Sequence, residues 1–83
     1  MKVSIRFFSS LREQLGISVL EFETQAKDVA QLRSELMLFQ PQFADALAHG
    51  KAVRMALNQV VCDGSEVLSE ACEVAFFPPV TGG

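Results

Sequence analysis

Apolar and polar residues alternate from Lys2 to Phe8, with Val3, Ile5 and Phe7 on one side and Ser4, Arg6 and Phe8 on the other. That period of two predicts a strand with one buried face. Ser10-Leu11-Arg12-Glu13 has the form of a capping box and Gly16 suits a left-handed stop, so a short helix is expected between them. Ile17 to Glu23 reads as a second strand, antiparallel to the first, with Leu20 and Phe22 turned inward. Asp28 is a cap for a longer helix on which Val29, Leu32, Leu36 and Phe39 recur on one face, while Arg33 and Glu35 point away. Met37, Leu38 and Phe39 read as core and core-edge residues. Pro41 ends this helix and suits the first turn of another, through Phe43, Leu47 and Ala48, closed by Gly50.

Val53, Met55 and Leu57 then alternate with Arg54 and Ala56 in a third strand. Asn58-Gln59 turns it into a brief fourth, Val60-Val61-Cys62, which stops at Asp63-Gly64. Glu73 to Phe77 is the last strand, with Val74 and Phe76 inward and Ala75 and Phe77 outward; Pro78-Pro79 forbid any further ladder. Strands and helices in this order, without repeats or linkers, give an α+β fold in which one main helix covers a mixed five-stranded sheet. The compact domain is expected over residues 1–77, with an extended, flexible tail over 78–83.

Length and charge narrow the function. A chain of 83 residues can form one core and has little left to wall a deep pocket. Its formal net charge of −3 disfavours nucleic acid as a partner, and its apolar runs fall well short of the roughly 20 residues of a membrane span. The beginning alternates where a signal peptide would be continuously apolar, so the expected location is the cytoplasm. Cys62 and Cys72 are too few for a disulfide framework or a metal site, and are expected to be buried or half-buried thiols.

The chain ends Phe76-Phe77-Pro78-Pro79-Val80-Thr81-Gly82-Gly83. Two prolines hold the exit from the last strand extended, and Val80 and Thr81 prolong it. Two glycines then let backbone and terminal carboxylate pass through a channel too narrow for a side chain. Stiff and then slim is a shape suited to insertion, although a frayed terminus would also end in small residues. A carboxylate is a poor electrophile, so its reaction calls for conversion to a mixed anhydride such as an acyl-adenylate.

Three stretches carry a family resemblance: Phe7-Phe8-Ser9-Ser10-Leu11-Arg12-Glu13, Ala56-Leu57-Asn58-Gln59, and Glu73 through Gly83. Together they resemble the sulfur-carrier subunits of molybdopterin synthase, in the ubiquitin-like β-grasp superfamily. The resemblance implies that the carboxylate of Gly83 is the reacting group, with Gly82 as its slender neighbour. It implies three partners: an adenylating enzyme of the ubiquitin-activating type, a sulfur donor protein and the large synthase subunit. The activating enzyme uses ATP, the carrier itself holds no cofactor, and the resulting thiocarboxylate passes its sulfur to cyclic pyranopterin monophosphate. Carriers for thiamine or tRNA thiolation, and ubiquitin-like modifiers, share the Gly-Gly end and stand as alternatives. The Phe-Phe-Pro-Pro run favours the molybdopterin branch.

In a β-grasp sheet the first and last strands lie side by side, which would bring Phe8 beside Phe77 at the root of the tail, with Val61 joining if the fourth strand turns it outward. Such an apolar patch would anchor a partner. The competing arrangement buries Phe8 under the short helix or Phe77 under its own tail. His49, before the expected helix-ending glycine, reads as a capping residue, and Ser65 as an ordinary turn serine. Arg12 is either a surface charge or a partner contact. Relatives carry an Asp-Gly-Asp-like turn where this chain has Glu70-Ala71-Cys72, so a positive φ there would strain Ala71.

Overall fold

A computed structural model describes residues 1–79. Its elements are β1 (Lys2–Phe7), α1 (Ser9–Leu15), β2 (Val19–Glu23), α2 (Val29–Phe39), α3 (Pro41–Ala46), β3 (Arg54–Leu57), β4 (Val60–Cys62) and β5 (Glu73–Phe77). Among the described residues the strands form one sheet in the order β2-β1-β5-β3-β4. β1 and β5 are parallel at its centre, and every other pairing is antiparallel. The helices cover one face, where Val3, Ile5, Phe7, Val74 and Phe76 meet Val29, Leu32, Leu36, Phe43 and Leu47. Aromatic rings run through this layer from Phe22 to Phe39, Phe43, Phe7 and Phe76, with centroids 5.3 to 6.1 Å apart. Such tilted and offset pairs add to simple apolar burial.

Local chemistry accounts for most boundaries. Asp28 caps α2 by accepting from the Gln31 N–H at 2.8 Å. The loop after β4 satisfies two more donors of the first turn, since Gly64 O and Glu66 O accept from Ala30 and Val29. Gly64 must be glycine here for a steric reason. A Cβ on it would stand 2.8 Å from the Cβ of Ala30. Gly64→Ala is therefore expected to cost about 1–3 kcal/mol by forcing loop and helix apart. Urea denaturation should show a lower midpoint with an unchanged slope.

Asn58 and Gln59 both take positive φ, 49° and 70°, as the two-residue hairpin between Leu57 and Val60 requires. Asn58 also ties this turn to β5, accepting from Glu73 N–H at 2.9 Å through its side chain. Ala71 stands at φ 64°, the strained position foreseen in the turn before β5.

Several expectations are corrected. Ser10 makes no capping box: α1 starts at Ser9, Phe8 is its cap residue, and no side chain caps it. The sharper turn arises because Ser9 itself takes φ 53°, bringing the chain from strand to helix within one residue. α3 stops at Ala46 rather than near Gly50: Leu47 donates the last helical bond to Phe43 O, and its own φ of −108° and ψ of 12° turn the chain out of the helix. His49 consequently lies in an exposed turn and caps no helix. Ile17 and Ser18 precede β2 instead of belonging to it. Leu38 is 90% exposed, because its position on α2 faces away from the sheet, whereas Met37 packs against the core.

The largest correction concerns Arg33, which does not point away. Val29, Leu32, Arg33 and Leu36 form one buried stripe. The Arg33 guanidinium donates to Leu47 O and Ala48 O, each at 2.8 Å, and reaches Lys51 O at 3.5 Å. It holds the loop between α3 and β3 against α2. Burial lowers its pKa from the ordinary arginine value by desolvation. Glu35 is half-buried rather than free in solvent, accepting from the Thr24 hydroxyl and, at 3.2 Å, from the Gln25 N–H.

Candidate functional site

The tail leaves the sheet at its middle. β5 is paired on one side with β1 and on the other with β3, so its last residue, Phe77, is held opposite Arg54. Phe8 follows β1 at the same edge, and its N–H donates to Phe76 O at 3.2 Å. Pro78 and Pro79 follow, half-buried. Val80, Thr81, Gly82 and Gly83 lie outside the described residues. A root pinned by ladders on both sides gives whatever follows a fixed point of departure.

The face of the sheet away from the helices surrounds this root. Pairing aligns Val19, Arg6, Ala75, Ala56 and Val61 in one row across five strands. Paired residues project to the same side, so this row shares the outward face with Phe8, Phe77 and Arg54. Phe8 is 41% and Val61 66% exposed, while Phe77 is half-buried. Phe8 is thus not enclosed beneath α1. Ala75 and Ala56 face outward, as alternation requires, yet larger neighbours leave them only 7% and 6% exposed. Their small side chains keep the middle of the face low, with apolar flanks at Phe8, Val19 and Val61.

Charges of both signs lie along the same face. Glu21, Glu73 and Glu23 lie toward the far end with Lys2, which stands opposite Glu23, while Arg6 sits in the middle row and Arg54 is beside the root. Arg6 is tied to Glu73 at 3.2 Å. Both arginines were legible as outward residues by alternation, but only the assembled sheet places them on one face with Phe8 and Phe77.

The remaining candidates offer no reactive group. Cys72 is buried, and the half-buried Cys62 thiol has its pKa pushed up by burial and by Glu66 and Asp63. A raised pKa opposes thiolate formation. Ser65 donates through both its hydroxyl and its N–H to Asp63, and these bonds lower the pKa of the Asp63 carboxyl. The serine is a turn residue. Arg12 is exposed on α1.

A mixed sheet with a central parallel pair, a helix laid across one face and a peptide issuing from the middle strand defines the ubiquitin-like β-grasp class. Residues 5–83 match the ThiS family, and the chain belongs to that family. It is 36% identical over 81 residues to the molybdopterin synthase sulfur carrier subunit of Escherichia coli strain K12, covering 98% of this chain and 99% of that protein. The Mycobacterium tuberculosis protein of the same name is 36% identical over 85 residues, covering 100% of this chain and 99% of the other. Among solved structures, one from Helicobacter pylori, a complex of subunits 1 and 2 of molybdopterin-converting factor, matches with a TM-score of 0.69 at 26% identity, over the whole of both chains. Small archaeal modifier protein 1 from Haloferax volcanii superposes with a TM-score of 0.76 at 19% identity, covering 95% of this chain and 98% of that one, and shares the fold.

Proposed function

We propose that this chain is the sulfur-carrier subunit of a molybdopterin synthase and that the carboxylate of Gly83 is its working group. The observation that carries the reading is the point where the chain leaves the sheet: Pro78-Pro79, followed in the sequence by Val80-Thr81-Gly82-Gly83, comes directly after a central strand fixed on both sides. The names of the Escherichia coli and Mycobacterium tuberculosis relatives support the role, and the Helicobacter pylori complex supports a large subunit as partner. The archaeal modifier shows the same fold, so fold alone does not choose between carrier and modifier.

Each step follows from the weakness of a carboxylate as an electrophile. An adenylating enzyme directs a Gly83 carboxylate oxygen onto the α-phosphate of ATP, releasing pyrophosphate. Sulfide-level sulfur (HS⁻) released from a donor protein then attacks the acyl-adenylate carbonyl, expelling AMP and a proton and leaving a thiocarboxylate. The large subunit receives the tail and transfers the sulfur to cyclic pyranopterin monophosphate. This chain supplies the slim peptide, its anchored root and the docking face formed by Phe8, Phe77 and Val61. Acids and bases belong to the partners.

Intact mass of protein isolated from its native host tests the reading. A population heavier by the exchange of one oxygen for sulfur at the C-terminus is the expected result. Ladders of target proteins joined to Gly83 through lysine, without any sulfur-bearing form, would replace the carrier with a modifier.

A further inference from the structure

Arg54 and Phe77 are directly opposed in the β3–β5 ladder, at the last paired position before the tail. Arg54 is exposed and has no carboxylate within ion-pair distance among the described residues. The neighbouring acids are otherwise engaged. Glu73 is paired with Arg6, and Asp63, which follows Cys62 at the end of β4, is turned to Ser65. A chain with net charge −3 therefore keeps, among the described residues, a guanidinium without an acidic partner beside the root of its tail, next to an apolar face whose centre is kept low by Ala56 and Ala75.

We infer that Arg54 is a specificity-determining contact of the tail-inserting interface, pairing with a carboxylate on the large synthase subunit at the rim of the channel that receives the tail. The inference rests on the reading under Proposed function. Two features favour an acid over an apolar contact. A guanidinium lying against an apolar partner surface would lose water without recompense, which disfavours any partner lacking an acceptor there. The planar fork of arginine also suits a carboxylate in two-point contact.

Binding of the full-length chain to its own organism's large subunit, measured by calorimetry at low and high salt, tests this. Arg54→Ala is expected to weaken binding about tenfold and Arg54→Glu further, with Arg54→Lys retaining part of the affinity. The difference between wild type and Arg54→Ala should shrink at high salt, and thermal melts should coincide because Arg54 is exposed. Unchanged affinity for Arg54→Glu, with wild type binding normally, would overturn this inference alone. A defect confined to adenylation would also overturn it, assigning Arg54 to the activating enzyme. Failure of the wild-type chain to bind the large subunit would remove the Proposed function and this inference with it.

Discussion

Removing Gly83 is expected to abolish sulfur transfer while leaving the fold intact. Deletion moves the reactive carboxyl back by one residue, about 3.5 Å along an extended chain. Displacement of a reacting atom by even about 1 Å can cost around a hundredfold in rate, so the shortened tail should lose at least that much. The loss should fall on both adenylation and delivery, because each needs the carboxyl at a position fixed relative to the sheet. The fold should not register the change. Among the described residues the buried cluster ends at Phe76, and Gly83 lies seven residues further along the sequence. A reconstituted assay with the large subunit and a thermal melt of the same preparation provide the two readouts. Product formation by the truncated chain at the wild-type rate would refute the assignment of Gly83.

The second large effect is structural. Arg33→Met is expected to destabilise the domain by about 3 kcal/mol, since it removes charge-assisted hydrogen bonds and leaves the carbonyls of Leu47 and Ala48 without their donor. For a domain of this size each kcal/mol shifts the melting temperature by about 4–8 °C, giving a fall of roughly 12–24 °C. Arg33→Lys should recover only part of this, because one ammonium cannot reproduce the fork that spans both carbonyls. Differential scanning calorimetry distinguishes the three proteins. The site matters beyond stability, because the loop that Arg33 holds leads into β3, which sets Arg54 opposite Phe77.

These two residues show how differently sequence and structure contribute. The expectation at Gly83 rests on local features alone: a terminal carboxylate, a narrow backbone and a stiff lead. Arg33 was misread although its spacing from Val29 places it on the buried stripe, because its partners lie 14 to 18 residues further along the chain. A charged residue at a core position becomes intelligible only when distant carbonyls are seen to converge on it. Leu38 failed in the opposite sense, being apolar but placed where α2 faces away from the sheet.

Strand alternation, the Asp28 cap and the Asn58-Gln59 turn were likewise readable from local residues. Each reflects steric or hydrogen-bonding preferences acting over a few positions. The capping box at Ser10 did not form, because the geometry of the exit from β1, with Ser9 in the left-handed region, decided where α1 begins.

From the residues alone a small α+β domain follows, together with the expectation of a stiff, slim tail. Local stereochemistry and the twofold and 3.6-fold periods suffice for that. Tertiary structure alone decided that the peptide departs from the centre of the sheet, that Phe8, Phe77, Val61 and Arg54 share the face around it, and that Arg33 secures the approach to β3. Those facts depend on strand order, and strand order is set by contacts between residues far apart in the chain.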